Sequence, residues 1–224
     1  MGINYSPRIV TDGLVLCLDA ANIKSYSGSG TTWFDLSKSG NNGTWSNNPT
    51  FSNNNNGTFQ FVPSGARVNL EPLSLSDTVN FTVSVWGNFQ TYTGTTRPRF
   101  FSLSQSGINL QFGHNESGRQ NELYIRYNDT LYAALAMNPD NWGHYVVTKN
   151  DNTVTFYVNG KASTTISTTV PTAAATGNYI GSYSTTTSAA TLNGFFGQLL
   201  YYQRPLSAAE ISQNFNATRG RYGI

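Results

Sequence analysis

From Phe81 to Trp86 the residues alternate, with Phe81, Val83 and Val85 on one face and Trp86 on the other. A two-residue period is the geometry of a strand, since a helix would need apolar residues three and four apart. Similar runs return at short, turn-separated intervals: Phe59–Val62 and Ala66–Leu70 around Pro63-Ser64-Gly65, then Phe100–Leu103, Ile108–Phe112 and Leu123–Tyr127. The clearest hairpin joins His144–Lys149 to Thr153–Val158 through Asn150-Asp151-Asn152. Asn159-Gly160 follows, a dipeptide that favours positive φ at both turn positions, and leads into the mostly polar, β-prone run Lys161–Ile166. With Asn178–Ser182 and Phe195–Tyr202 this makes roughly a dozen strands against a single helix signal, far from the mix of an average domain. The pattern predicts an all-β chain, a two-sheet antiparallel jelly-roll sandwich with one short C-terminal helix.

Two stretches say how the sheets are covered. Leu14–Asp19 is almost continuously apolar, as expected of a strand buried on both faces. At the other end Gln203-Arg204-Pro205 breaks the last strand, and Ser207 and Glu210 have the spacing of a capping box. Leu206 and Ile211 flank that cap as a hydrophobic staple, Ile211 and Phe215 form one i, i+4 pair, and Gly220 is the expected stop. Residues 1–12 end at the turn signal Asp12-Gly13 and read as an arm or first edge strand, with one domain over 13–224. The loop-like stretch Tyr26–Asn56 carries Trp33, Phe34, Leu36 and Trp45, so it is expected to be ordered by its own aromatics.

Composition narrows the function. Charged residues are 11% of the chain, with a formal balance of +2 and four Lys and nine Arg scattered along it. A nucleic-acid binder would need a basic stripe. No run of about eighteen apolar residues marks a membrane span, and Met1–Ser6 lacks the features of a secretory signal, which points to synthesis in a cytoplasm. Cys17 is the only cysteine, so no internal disulfide forms; within Leu14–Leu18 it reads as a buried small hydrophobe.

Several segments together resemble a known family: Asp12-Gly13-Leu14-Val15-Leu16-Cys17-Leu18-Asp19-Ala20-Ala21-Asn22, Trp33–Ser37 with Asn41–Thr44, the strand at Trp142, and Phe156–Gly160. The ending Tyr202–Ile211 followed by Asn214–Ala217 completes the set. The chain resembles the laminin-G-like, concanavalin A-like jelly-roll domains, in the form carried by tailed-bacteriophage virion proteins. That resemblance implies a structural accessory of a phage particle, a capsid-decoration protein or head fibre, made in the host cytoplasm and displayed on the particle surface. Its partner would be a capsid or tail protein, reached by a face or by the 1–12 arm, in a homo-oligomer expected to be a trimer. The alternatives are a glycan-binding adhesin or receptor-binding tail-fibre lectin domain and, remotely, a glucan hydrolase.

Catalysis is not expected. Retaining glycosidases place two carboxyls about 5 Å apart, yet Glu210 has a capping role, Glu71 precedes Pro72, and Glu116 and Glu122 flank a loop instead of alternating along one strand. His114 and His144 belong to no catalytic motif, and His144 is expected to be a half-exposed strand residue. Glycan binding needs exposed aromatics beside amides, for which Tyr26, Tyr92, Tyr132 and Tyr183 are the candidates. No cofactor is expected apart from Ca²⁺, for which Asp35, Asn41 and Asn42 are candidate ligands, although one carboxylate among amides suits turn hydrogen bonds better.

Overall fold

The computed structural model describes residues 7–47, 49–62, 65–70, 80–90, 99–105, 108–116, 119–127, 130–137, 139–167, 177–182 and 192–224. In chain order the strands among them are β1 (Leu14–Asp19), β2 (Thr32–Trp33), β3 (Gly43–Ser46), β4 (Thr50–Ser52), β5 (Thr58–Phe61), β6 (Arg67–Leu70), β7 (Phe81–Phe89) and β8 (Arg99–Gln105). They continue with β9 (Ile108–Glu116), β10 (Arg119–Tyr127), β11 (Thr130–Ala136), β12 (Trp142–Asn150), β13 (Thr153–Val158), β14 (Lys161–Ser167), β15 (Gly177–Ile180) and β16 (Gly194–Tyr202). Helix α1 (Ala208–Thr218) and a 3-10 turn at Arg219–Tyr222 close the chain.

Two eight-stranded sheets form. The first runs β14-β13-β12-β7-β16-β5-β4 with β1 added on β16, and the second runs β11-β10-β9-β8-β15-β6-β3-β2. Every pairing is antiparallel. The expected two-sheet jelly-roll sandwich with one short C-terminal helix is the observed architecture.

Strand alternation builds the core. Phe81, Val83 and Val85 of β7 point between the sheets with Leu199 and Tyr201 of β16 and Tyr145 and Val147 of β12. From the facing sheet come Val68, Ile180, Phe101, Phe112 and Ile125. Trp33 lies within this core, stacked on Trp45 with ring centroids 5.5 Å apart, which anchors the loop stretch as expected.

The first sheet is covered on its other face too. Val10, Cys17, Val146, Leu200, Tyr202, Leu206 and Ile211 form a second apolar cluster there, beneath α1. This explains the uninterrupted apolar character of β1. Further along that face Trp86 is layered against Tyr222, Phe215 and His144, at centroid distances of 4.3, 5.7 and 5.0 Å. Gly197 makes room for the layer, because a Cβ there would stand 2.4 Å from the Tyr222 hydroxyl.

The capping box forms as predicted: Ser207 Oγ accepts from the Glu210 amide, and the Glu210 carboxylate accepts from the Ser207 amide at 2.8 Å. Glu210 also receives Arg204 at 2.6 Å, and Arg204 bonds Asp12 at 2.9 Å, tying helix start to chain start. The Asn159-Gly160 turn has φ of 49° and 77°, the twist a tight hairpin requires.

Three points depart from the expected pattern. The helical winding stops at Gly223 in the left-handed region, not at Gly220, because the 3-10 turn extends past the helix. β11 was not apparent from the sequence; its pairing with β10 gives it its place. His144 is 1% exposed, not half-exposed, because α1 and the 3-10 turn cover its strand. Residues 7–12, expected as part of an arm or first edge strand, carry no strand; Val10 donates its amide to Asn214 and accepts at its carbonyl from the Tyr202 hydroxyl, which docks the segment beside α1.

Candidate functional site

The outer face of the second sheet is set by register. The core-facing row Trp45–Val68–Ile180–Phe101–Phe112–Ile125 crosses β3, β6, β15, β8, β9 and β10. One residue along, the row Thr44–Asn69–Tyr179–Ser102–Gln111–Arg126 crosses the same strands. Successive strand residues point to opposite faces, so Thr44, Asn69 and Tyr179 of this second row belong to the outer face. At a strand spacing of about 4.8 Å these three span about 10 Å, the reach of one or two sugar rings.

The row is polar, with one aromatic near its middle. Tyr179 is partly exposed between Asn69 and Ser102 on neighbouring strands. Arg67 donates to the Asn69 side chain at 3.1 Å, holding that amide in place, and Ser102 donates to the Ser182 carbonyl at 2.7 Å. Exposed Thr44 donates weakly to the Asn69 carbonyl at 3.4 Å. Ser102 is fully buried, so the open part of the row is Thr44–Asn69–Tyr179; a sugar ring resting its apolar face on Tyr179 would exchange hydrogen bonds with the Asn69 amide and the Thr44 hydroxyl. Sequence reasoning missed Tyr179; the alternation Asn178-Tyr179-Ile180 was visible, but only the register shows which side faces out.

The tyrosines expected to bind glycan fare differently. Tyr26 is corrected: at 8% exposure its ring is enclosed by Phe59, Phe51 and Trp45, with the nearest centroid at 4.8 Å, and burial raises its phenol pKa. No face is left for a sugar to stack on. Tyr92 and Tyr183 lie outside the described residues. Tyr132 stands on β11 in register with Ile125, and its side chain lies outside what is described.

Asp35, Asn41 and Asn42 do come together, as a loop scaffold. Asp35 Oδ1 accepts from the amides of Cys17 and Ser37, both at 2.8 Å, while Oδ2 accepts from Ser37 Oγ at 2.6 Å and the Asn41 amide at 3.0 Å. Asn42 Oδ1 accepts from the Asp35 amide, and Asn41 Nδ2 donates to the Val15 carbonyl. The carboxylate is thus engaged on both oxygens by a turn. No group of three or more His, Cys, Asp or Glu with metal-binding geometry occurs among the described residues.

Other ionisable groups are also committed. Asp19 accepts from Arg221 at 2.6 Å and from Gln198 at 3.1 Å. Arg204, with help from Ser207, holds the Glu210 carboxyl down to about 2. Glu116 and Glu122 lie on the neighbouring strands β9 and β10. His144 meets Ser84 Oγ at 2.8 Å through Nε2, has no partner at Nδ1, and is pushed down to about 3 by burial. Burial likewise pushes the Cys17 thiol up to about 12, with Asp19 and Asp35 adding to it.

A two-sheet antiparallel sandwich with a helix packed on the outer face of one sheet defines a jelly-roll domain. The profile of the laminin G family described as the concanavalin A-like lectin/glucanases superfamily matches residues 62–212, and the chain belongs to that family. No curated protein matches the chain. Among solved structures, Trypanosoma rangeli sialidase in complex with sialic acid superposes with a TM-score of 0.70 at 15% identity, covering 97% of this chain and 36% of the sialidase. Botulinum neurotoxin type C, whose cell entry is described as dependent upon interaction with two ganglioside molecules, gives 0.69 at 13% identity, covering 93% of this chain and 52% of that one. The type G receptor-binding domain gives 0.65 at 14% identity over 91% and 51%. The chain therefore spans about a third of the sialidase and half of the neurotoxin chains, and at these identities the likeness is one of fold.

Proposed function

We propose that this chain is a non-enzymatic binding domain of a tailed-bacteriophage particle, a capsid-decoration or head-fibre component that docks on the shell and presents surface polysaccharide with the outer face of its second sheet. The observation that carries the binding role is the outward row through Thr44, Asn69 and Tyr179, a partly exposed aromatic beside hydrogen-bonding groups on a rigid sheet. Two structural neighbours that share this fold over about a third and about half of their own length are described with carbohydrate, one in complex with sialic acid and one dependent on gangliosides for cell entry. The particle role draws on the resemblance of Asp12–Asn22 and the closing segment to phage virion domains.

The non-enzymatic reading is supported by the state of the described carboxylates. Asp19, Asp35 and Glu210 are each held by cations or turn amides, whereas glycoside hydrolysis needs a carboxyl pair flanking the scissile bond. Calcium is not required by this reading, because Asp35 already has a structural task. A compact domain of this kind docks by a face, and a homotrimer on the particle surface is the assembly we propose.

The test is a mass-spectrometric inventory of purified particles together with a polysaccharide array of the isolated protein and its Tyr179→Ala variant. The protein should be found in particles, and the variant should bind captured glycans at least about tenfold more weakly, as for a central interface aromatic. Absence from particles removes the virion role; equal binding by the variant removes the sheet face. A tail-fibre lectin is the second reading, favoured by the same row, and immunolabelling of the tail instead of the head would select it.

A further inference from the structure

Residues 7–11 and 217–221 meet beside a cleft of about 610 Å³ on the helix-covered side of the first sheet, far around the sandwich from the Tyr179 row. Its size falls in the range of small-molecule sites. Ile9, Leu14 and Leu36 supply an apolar wall, and Asp19, Gln198 and Arg221 supply the polar groups. Asp19 and Gln198 are register partners on β1 and β16, 6% and 3% exposed, while the next outward pair along these strands, Cys17 and Leu200, is apolar. A buried ion pair is weak evidence for stability, because well-packed apolar residues of similar volume often do as well or better. The polar floor of an otherwise apolar face thus calls for a reason beyond packing.

Its hydrogen-bonding state suggests one. Asp19 Oδ1 accepts from the Ala21 amide and from Arg221, but Oδ2 accepts, among the described residues, from Gln198 alone and keeps acceptor capacity. Arg221 neutralises Asp19, so the surplus charge of the lining is Arg8, exposed at the cleft and without an ion pair among the described residues. A matching ligand has an apolar ring face for Leu14 and Leu36, a hydroxyl to donate to Asp19, and an anionic group for Arg8. We propose that this cleft binds a sugar acid of the hexuronate class, either free or as the terminal unit of an acidic polysaccharide.

The experiment is a titration of the full chain, followed by amide NMR, with D-glucuronate, neutral D-glucose and a polyuronate, repeated on Arg8→Gln and on Tyr179→Ala. Saturable shifts at Cys17, Asp19 and Gln198 are expected, with glucuronate favoured over glucose by up to about fivefold, the worth of an exposed ion pair. In Arg8→Gln, whose side chain is at the surface, the preference should vanish while the spectrum stays folded. A response to polyuronate alone assigns the polymer as source, and a response to glucuronate as well assigns the free acid. No saturation below about 50 mM by any of the three acids or sugars, or an undiminished preference in Arg8→Gln, overturns the proposal. Tyr179→Ala separates the two sites: cleft shifts that survive in it stand even if the sheet face binds nothing.

Discussion

Acidification should destabilise this protein through one buried imidazole, and the size of the effect can be worked out. His144 is 1% exposed, layered on Trp86, with Ser84 Oγ at Nε2 and no partner at Nδ1. Burial lowers its pKa from 6.5 to about 3. The unfolded chain therefore binds the proton first, and stability is intact above pH 6.5 and declines as pH falls toward 3. Each pH unit in that window costs about 1.4 kcal/mol, so about 2–3 kcal/mol should be gone by pH 4.5 relative to pH 7, or about 5–10 °C in Tm for a domain of this size. Urea unfolding at several pH values measures it. The slope should persist in His114→Gln and disappear in His144→Gln, whose amide can still meet Ser84. An unchanged slope between pH 6.5 and 4.5 in His144→Gln would refute the burial argument.

Other consequences follow from the helix cap and the loop scaffold. Ser207→Ala removes the N-cap and should lower stability by about 1 kcal/mol, read by thermal unfolding. Glu210, held low chiefly by Arg204, contributes stability that is full above pH 4.5 and lost as pH falls toward 2, a window that overlaps that of His144 only at its acid end; Glu210→Gln should flatten the stability curve below it. Asp35→Ala strands the Cys17, Ser37 and Asn41 amides and should cost about 2–3 kcal/mol, equally in chelator and in millimolar Ca²⁺. A calcium-dependent rise in Tm that disappears in Asp35→Ala would instead make the loop a cation site.

Much of the fold is legible in local pattern. β7 and the β12–β13 hairpin announce themselves by alternation, and the Ser207–Glu210 box by spacing, because each depends on neighbours within a few residues. The candidate sites are not local. Tyr179 faces outward because Ile180 pairs with Val68 and Phe101 across two other strands, and the cleft joins Asp19 to Arg221 over a separation of 202 residues. Tyr26 shows the reverse failure: polar, Gly- and Ser-rich surroundings suggested exposure, but Phe51 and Phe59 fold over it from β4 and β5. His144 was misjudged for the same reason, since the element covering it lies some seventy residues further on in the chain, at Phe215 and Tyr222.

The outer face of the second sheet as a polysaccharide site is tested most directly by amide NMR of the labelled protein titrated with a glycan captured on the array. Saturable shifts should cluster at Thr44, Asn69 and Tyr179, and Tyr179→Ala should abolish them without disturbing Leu199 or Val85 in the core. Shifts confined to other surfaces, or a Tyr179→Ala variant that binds as the parent does, would contradict that assignment.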